Sequence, residues 1–403
     1  HLAVQNLVSI VQEQERQSFH LILDIARTFA RLSGKDEKVL ACTKMLLQDA
    51  GNILQQQNNA GQYQFYVDSG HQNLHEGDIS AAQEIFTKAS SYADHNLDAT
   101  DALVGVIRCH VTNDDFTSAE QQLEFLMEVH SGDTTAEMTM LQSIVARKSK
   151  TGDIAKSRLL LSEALSSHLG NVMASRAGDW TYDLWERMRP EFIVEIVEEC
   201  MFHSKTFSGE DSNLKPGALN ILKNPIVVLE RLTGKIQKKG HTGFAPGFLP
   251  ARLLLAKIYV EQKKFDIARD TLKDYVDSGT SSLEPYLLLM GIEYAQDNIR
   301  AALSAAERAL SEFFAAREQP LYQLIRGVAY LEDKDYDSAV TTLTSAIKLA
   351  GVRIATKRED TNKYNINNEQ KVPEVPVNYR ADIFTNLVAA LQAEGRLQDA
   401  KST

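Results

Sequence analysis

The stretch RGVAYLEDKDYDSAVTTLTSAI, from Arg326 to Ile347, decides the fold. Gly327 stands three residues before Tyr330, and Ala339 stands four residues before a leucine and seven before an alanine. Residues three, four and seven positions apart share one face of an α-helix, so each set predicts the packed face of a short helix. Asp333 to Asp335 would join the two helices. The stretch therefore predicts a helical hairpin with small residues where its helices cross.

The turn of this hairpin recurs along the chain. A hydrophobic residue is followed three positions later by a small residue at Ala82, Ala119, Ser157, Ala268, Ala302, Ala339 and Ala400. This recurrence resembles the tetratricopeptide repeat, whose period is about 34 residues, and a generic helical bundle would not keep such a register. We therefore expect an all-α chain that forms an α-solenoid, a right-handed superhelix of tetratricopeptide-like helix-turn-helix repeats.

Composition disfavours several classes of function. The 403 residues are 43% hydrophobic and 24% charged, which is typical of a well-packed soluble protein. The formal net charge of −11 disfavours nucleic-acid binding as the main task, because phosphate-binding domains carry a basic excess. Only Cys42, Cys109 and Cys200 occur, far apart and odd in number, so we expect free thiols in a reducing cytosolic compartment. No apolar run is long enough to predict direct membrane insertion.

Composition shifts divide the chain into five segments. The chain begins at His1 without a methionine and stops soon after a helix begins at Leu397, so we expect a fragment of a longer protein with truncated ends. The predicted segments are N-terminal repeats over 1–169, degenerate helical repeats over 170–250 with a loop at 204–217, three well-formed repeats over 251–350, an irregular polar insertion over 351–379, and a truncated further repeat over 380–403.

The sequence contains only incomplete versions of the motifs for catalysis and metal binding. His71 and His75 are four residues apart, a spacing that can place two imidazoles on one helical face for zinc. Gln72 stands where the zincin motif requires glutamate, so ordinary histidines are favoured. Cys200 and His203 form a lone pair without a second pair nearby, and nucleotide-binding or serine-hydrolase motifs are absent. We therefore expect no enzyme, no metal site and no cofactor.

The first helix of each repeat should line a concave face. In the later repeats this predicts a mostly apolar stripe of Leu253, Lys257, Leu288, Ile292, Leu324, Val328 and Leu331. A stripe left in water would be a costly surface, so one interpretation is that a partner's helix or extended segment covers it. The other is that the superhelix closes and these side chains meet each other. In the earlier repeats the same positions include Val104 and Arg108, which predicts a more polar face.

Three longer stretches carry a more specific resemblance. They are PLYQLIRGVAYLEDKDYDSAVTTLTSAIKLAG at 320–351, DALVGVIRCHVTNDDFTSAEQQLEFL at 101–126 and RPEFIVEIVEECM at 189–201. These stretches and the basic insertion resemble the intraflagellar transport protein 139 family, also called tetratricopeptide repeat protein 21. The resemblance covers most of the chain, including its off-register middle. Members of that family are subunits of intraflagellar transport complex A.

The resemblance implies a non-enzymatic scaffold for protein-protein interaction in retrograde ciliary transport and in ciliary entry of membrane cargo. It implies WD-repeat and other subunits of complex A as partners, with ciliary cargo adaptors as further ones. It also implies location in the cilium or flagellum, the basal body and the cytoplasm. Two alternatives stay open at this point, namely a scaffold subunit of another large assembly and a repeat domain attached to an enzyme outside this fragment.

Overall fold

The part of the chain that the structure, a computed structural model, describes is built from helices. The described residues are 2–14, 18–33, 36–57, 61–93, 99–129, 134–149, 152–173, 187–205, 217–234, 248–278, 282–353 and 375–402. They contain no β-strand. None of the helices they form has both the length and the apolar character to cross a membrane. The prediction of an all-α chain of helix-turn-helix repeats is confirmed.

The chain divides into two compact units, His1–Leu254 and Leu255–Thr403. The helices of the first unit are α1 (Leu2–Gln14), α2 (Phe19–Leu32), α3 (Glu37–Gln57), α4 (Gln62–Glu76), α5 (Ile79–Ser91), α6 (Thr100–Thr112), α7 (Phe116–Val129), α8 (Ala136–Lys148), α9 (Ile154–Met173), α10 (Pro190–Lys205) and α11 (Gly217–Thr233). The boundary between the units falls inside α12 (Leu249–Glu261). The helices of the second unit are α13 (Phe265–Ser278), α14 (Glu284–Ala295), α15 (Ile299–Glu312), a 3-10 helix (Phe314–Glu318), α16 (Pro320–Glu332), α17 (Tyr336–Ile347), α18 (Val377–Ala393) and α19 (Leu397–Ser402).

Each predicted hairpin turns at one residue in the left-handed helical conformation. This residue stands five positions before the small residue at Gly77, Asp114, Gly152, Lys263, Asp297, Lys334 and Gly395, with φ between 55 and 83°. Helices commonly end in this conformation because it directs the next N–H groups back to the carbonyls of the last turn. After Lys334, the N–H of Asp335 donates to the carbonyl oxygen of Tyr330 at 2.9 Å. The same left-handed backbone conformation therefore sets the direction in which the second helix of each predicted hairpin leaves the turn.

The residue after the turn caps the second helix in several hairpins. The side chains of Asp78, Asp115, Asp153 and Asp335 each accept a hydrogen bond from the backbone N–H three residues later, at 2.9 to 3.2 Å. Such a cap satisfies one of the N–H groups that a helix start leaves without a partner. The turn and the cap together specify where the first helix ends and the second begins.

The small residues lie where the paired helices cross. Ala82, Ala119, Ser157, Ala268, Ala302 and Ala339 are 0% exposed, and Ala400 near the end of the chain is partly buried. Large side chains fill the space beside them. The Phe86 ring lies so close to α4 and α6 that a Cβ atom on Gly70 would stand 2.6 Å from it and one on Gly105 2.4 Å. Leu343 fits against Gly327 in the same way, at 2.5 Å. The register predicted from sequence is therefore the packing register.

Within each unit, helices pack on their neighbours in chain order, and first helices also touch each other. In the first unit α2 contacts α4, α4 contacts α6, and α6 contacts α8, while α10 returns to contact α2. In the second unit α14 contacts α16, and α16 contacts α18. A first helix inside a unit, such as α4, α6 or α16, therefore packs against another first helix on either side.

Two of the predicted segment boundaries differ from the helix ends in the structure. The loop predicted over 204–217 overlaps two helix ends, since α10 runs to Lys205 and α11 begins at Gly217, and residues 206–216 lie outside the described residues. In the insertion predicted over 351–379, Val377 to Tyr379 are helical instead, and 354–374 lie outside the described residues. Buried Val352 and Val375 belong to one core with α17 and α18, so apolar burial ends the insertion earlier than its polar composition suggested. The other segment boundaries stay predictions.

We expect Lys334→Gly to stabilise the second unit. A side chain at positive φ strains the backbone, whereas glycine adopts the left-handed conformation freely, so the gain in the free energy of unfolding should be about 0.5–1 kcal/mol. The reciprocal change Gly77→Lys, at a turn where a Cβ atom would meet nothing within 4 Å, should cost a similar amount. Chemical denaturation measures both. Equal stabilities of the two variants and the parent chain would contradict the assignment of strain to these turns.

Candidate functional site

Charged side chains of the first helices face one cavity in the first unit. The cavity of about 210 Å³ is lined by residues of α2, α3, α4, α6, α8 and α10 and by Arg189 just before α10. Its charged residues are Arg27, Arg31, Asp68, Asp101, Arg108, Glu137, Arg189, Glu191 and Glu195. They come from helices that neighbour one another because the hairpins repeat, although the residues are far apart in sequence. Val104 and Arg108, which the sequence placed on a polar concave face, both line this cavity.

Glu137 is the centre of the strongest ion-pair network. Its carboxylate accepts hydrogen bonds from Arg108 at 2.6 Å and from Arg189 at 2.9 Å. Arg108 also donates two hydrogen bonds to Glu195, at 2.6 and 3.0 Å. Burial acts to raise the pKa of Glu137, but the two guanidinium groups outweigh it and hold that pKa well below its usual range. The network joins α6, α8 and α10 through charge-assisted hydrogen bonds.

A second pair joins α2 to α4. Arg27 donates to both carboxylate oxygens of Asp68, at 3.1 and 2.9 Å, in the bidentate geometry typical of arginine. Gln64 donates a further hydrogen bond to Asp68 at 3.2 Å. Burial nevertheless raises the pKa of Asp68, although Arg27 acts in the opposite direction. The pair therefore holds register between two helices at a desolvation cost.

Arg31 on α2 and Glu191 on α10 form a longer ion pair. The Arg31 Nε atom lies 3.7 Å from a carboxylate oxygen of Glu191, and the Arg189 Nε atom lies 3.5 Å from the same oxygen. Burial raises the pKa of Glu191, and burial also lowers the pKa of Arg31. This contact is longer than the other ion pairs of the cavity. It is also the one that brings together residues 160 positions apart in the numbering, 31 and 191.

The two histidines considered for zinc line the same cavity. His71 packs its ring edge against Phe86, with ring centroids 5.1 Å apart. Burial lowers the pKa of His71 to about 3, so its ring is neutral at physiological pH. In the described part of the chain, no group of three potential metal ligands is close enough to hold an ion. His71 therefore acts here as a packed aromatic ring.

The second histidine candidate belongs to a buried polar cluster. Ser143 and Ser157 share a hydrogen bond at 2.8 Å, and the Ser157 hydroxyl lies 3.0 Å from the His203 Nε2 atom. These residues are almost fully buried, and burial lowers the pKa of His203 to about 4. Nearby Cys200 is a buried thiol whose pKa burial raises to about 12, which disfavours the nucleophilic thiolate. Because a substrate cannot reach the serines, the cluster is suited to holding α8, α9 and α10 together.

The residues of the stripe predicted in the later repeats differ in their burial. Leu253 is buried in the first unit. In the second unit Ile292 and Leu324 are 0% exposed, while Leu288, Val328 and Leu331 are partly buried and Lys257 is exposed. Val328 and Leu331 pack on the second unit's core around Leu324. The binding role of the stripe stays a prediction, and its accessible members are Lys257, Leu288, Val328 and Leu331.

Sequence reasoning missed most of the charged cavity. It identified Arg108 through its repeat position, but Arg27, Arg31 and Glu191 stand outside the well-formed repeats. A signal was present, since Arg27 and Arg31 are four residues apart and therefore share one face of α2, a helix rich in apolar residues. Charges on the inward face of a helix predict partners on the facing helices, because unpaired buried charges are costly. Which helices face each other follows only from the tertiary structure.

Comparisons with known proteins agree along the chain. A family model described as the tetratricopeptide repeat protein 21 second ARM domain matches residues 2–297. A second, described as the tetratricopeptide repeat protein 21 ARM repeat, matches residues 314–403. Human tetratricopeptide repeat protein 21B is 25% identical over 98% of this chain, and human tetratricopeptide repeat protein 21A is 28% identical over 75%. The aligned regions are only 28% and 21% of those proteins' lengths.

A solved structure also aligns over most of the chain. It is the Cut9–Hcn1 hetero-tetramer of the anaphase-promoting complex, with a TM-score of 0.29, 14% identity, and coverage of 99% of this chain and 87% of that one. A similarity of this size has no bearing on function. The sequence comparisons are the informative ones.

Glu137→Gln should destabilise the first unit. The substitution keeps the shape but leaves Arg108 and Arg189 without their shared negative charge, which typically costs about 3 kcal/mol or more for buried pairs. The matched control is Asp266→Asn, which removes one carboxylate from an exposed pair with Arg269 and should cost less than about 1 kcal/mol. Urea denaturation compares the two. Similar losses in both variants would show that the buried network contributes no more to the free energy of unfolding than an exposed ion pair does.

The contribution of His71 to the free energy of unfolding should fall as the pH drops from about 6.5 towards 3. The unfolded His71 has an ordinary pKa of 6.5 and the folded one about 3, so in this window the unfolded state binds the extra proton and stability rises with pH. His71→Gln should flatten the slope by up to about 1.4 kcal/mol per pH unit. The control is His20→Gln, at an exposed position. Denaturation curves at several pH values measure the slopes, and an unchanged slope in His71→Gln would refute the neutral-ring assignment.

Proposed function

The chain belongs to the tetratricopeptide repeat protein 21 family, and we propose that it is a non-enzymatic scaffold segment of an intraflagellar transport complex A subunit. The proposed task is retrograde ciliary transport and the admission of membrane cargo to the cilium. The observation that carries the proposal is that family similarity and the hairpin register run together through both units. The family and the fold are those of helical repeat scaffolds. The chain spans 28% of its human 21B relative, so the role concerns the longer protein.

The polar and thiol groups of the described core fit a scaffold better than an enzyme. The buried serines bond to one another and to His203, and burial raises the pKa of Cys109 to about 11. The ionised groups of the cavity are mostly neutralised by partners within the chain. These features stabilise a shape rather than activate a nucleophile. What remains for function is the accessible surface of the repeats.

The proposed partners are WD-repeat and other subunits of complex A, with ciliary cargo adaptors as further ones. The proposed location is the cilium or flagellum, the basal body and the cytoplasm. Support comes from the family and from the mixture of side chains left accessible on the first helices of the second unit, where Lys257 is exposed and Leu288 partly so. Protein interfaces commonly combine apolar anchors with a polar rim.

The proposal is tested by co-purification from ciliated cells with mass spectrometry. The chain should recover complex A subunits, and Lys257→Glu with Leu288→Glu should abolish that recovery, because it replaces a cation and an apolar contact by like negative charges. Leu324 is unsuitable for this test since its full burial would make a charge unfold the unit. The matched control is Lys348→Glu with Leu397→Glu, which makes the same two changes at exposed positions directly after α17 and on α19.

Circular dichroism should show unchanged helicity in both double variants. Recovery of subunits from an unrelated assembly by the unaltered chain would replace the proposal with the other scaffold interpretation. A catalytic domain in the full-length protein would favour the enzyme-attached repeat. Equal recovery by both double variants and the parent chain would remove the stripe from the interface while leaving the family assignment untouched.

A further inference from the structure

One side-chain pair in the cavity of the first unit lacks the hydrogen bonds that the others make. Both carboxylate oxygens of Glu191 are shielded from solvent, and neither receives a hydrogen bond of normal length from the side chain of another described residue, since the Arg189 Nε atom lies 3.5 Å away. Arg31 likewise donates none among the described residues, and its guanidinium reaches Glu191 only at 3.7 Å. Charge-assisted hydrogen bonds are about 2.7–2.9 Å long, so this pair is close enough to attract but not to bond.

The rest of the cavity shows that the spacing is local. Arg108 meets Glu137 and Glu195 at 2.6 Å, and Arg27 meets Asp68 at 2.9 Å. These other arginine and carboxylate groups of the cavity are therefore close enough to form hydrogen bonds within the chain. Arg31 and Glu191 stand apart beside open space of about 210 Å³. A buried acceptor without a donor in a native structure calls for an explanation, and a bound polar molecule is one.

Backbone strain is concentrated at the same wall of the cavity. Arg189 has a φ of 41°, which is unfavourable for a residue with a side chain. It precedes Pro190, the first residue of α10. In this conformation its guanidinium bonds to Glu137 while its Nε atom, buried and without a hydrogen bond, lies 3.5 Å from Glu191. Strain of this kind persists where the surroundings demand a side-chain position, and it clusters at functional sites.

The charge balance of the cavity defines the ligand. Four arginines and five carboxylates line it, so the arginines and carboxylates together carry a formal balance of one negative charge, five against four. A ligand with a net positive charge would be repelled by the arginines, and a ligand with a net negative charge would be repelled by the carboxylates. A molecule that is neutral overall but carries separated charges satisfies both sides. Its anionic end would accept from the donors of Arg31, and its cationic end would donate to the acceptors of Glu191.

We propose that this cavity binds a small zwitterion of the α-amino-acid type, with its carboxylate on Arg31 and its ammonium on Glu191. The size fits, because about 210 Å³ lies below the roughly 300–1,000 Å³ of pockets that take drug-sized ligands. The ligand bridges α2 and α10, which are the first and last of the first helices around the cavity. Binding therefore ties the two ends of this ring of helices together. The site is independent of the complex that the chain is proposed to join.

Isothermal titration calorimetry of the whole chain with glycine tests the site. Acetate and methylammonium are the matched controls, since each carries one of glycine's two charged groups. Glycine should bind at least about tenfold more tightly than either half, because losing one charged hydrogen-bonding partner typically changes affinity by that factor or more. A panel of L-amino acids then reports which side chain the cavity accepts. Absence of binding by glycine and by the whole panel at millimolar concentration would overturn the proposal.

Two variants locate the bound molecule. Arg31→Gln and Glu191→Gln should each weaken binding of the best amino acid by at least about tenfold. The control is Lys44→Gln, which removes one charge from the exposed pair with Glu76 at 2.8 Å and should bind as the parent chain does. Parent-like affinity in both cavity variants would overturn the assignment, and so would equal binding of glycine and its halves. The comparison of glycine with its halves needs only the parent chain, so misfolding of a variant leaves the test intact.

Discussion

The close approach of two helices at a residue with almost no side chain is the constraint on which the structure depends. At Ala82, Ala302 and Ala339 the exposed fraction is zero, because the partner helix lies directly against the backbone there. This approach is possible only if the chain reverses at one place, and a left-handed residue five positions earlier provides that reversal. Interiors are close-packed, so a methylene group added at the crossing would displace a helix. The fixed spacing between the turn residue and the small residue is therefore needed for the two helices to pack at the same place in each hairpin.

Regular crossings also decide where charges can be buried. When first helices touch in series, their inward faces form a shared interior, and any charge there needs a partner from another helix. The partners of Glu137 come from residues 29 and 52 positions away, on α6 and just before α10. Such pairs add little net stability compared with apolar packing, yet removing one partner is costly. Their effect is to specify which helices meet, which an apolar interior of interchangeable leucines would do less strictly.

The two units use different chemistry for the same architecture. The second unit's first helices bury Ile292 fully and place Leu324 in a large apolar core, which leaves only part of the predicted stripe accessible. The first unit keeps ions and a cavity on the corresponding faces. A scaffold that belongs to a larger assembly can use the apolar unit as a rigid support and the accessible first-helix residues for contact. The charged cavity adds a place where a small molecule can act on the shape of one unit.

The sequence by itself determined the hairpin register, because small residues at one spacing have a single physical use when helices cross. It also determined the family, through stretches such as 320–351, and it excluded familiar catalytic motifs. It did not determine the left-handed residue at Lys334, since lysine has no preference for that conformation and accepts it only under tertiary constraint. It did not determine the neighbourhood of Arg31 and Glu191 either. Their meeting depends on how the four helix pairs from α2–α3 to α8–α9 pack in succession, and local sequence signals do not encode a contact at that distance along the chain.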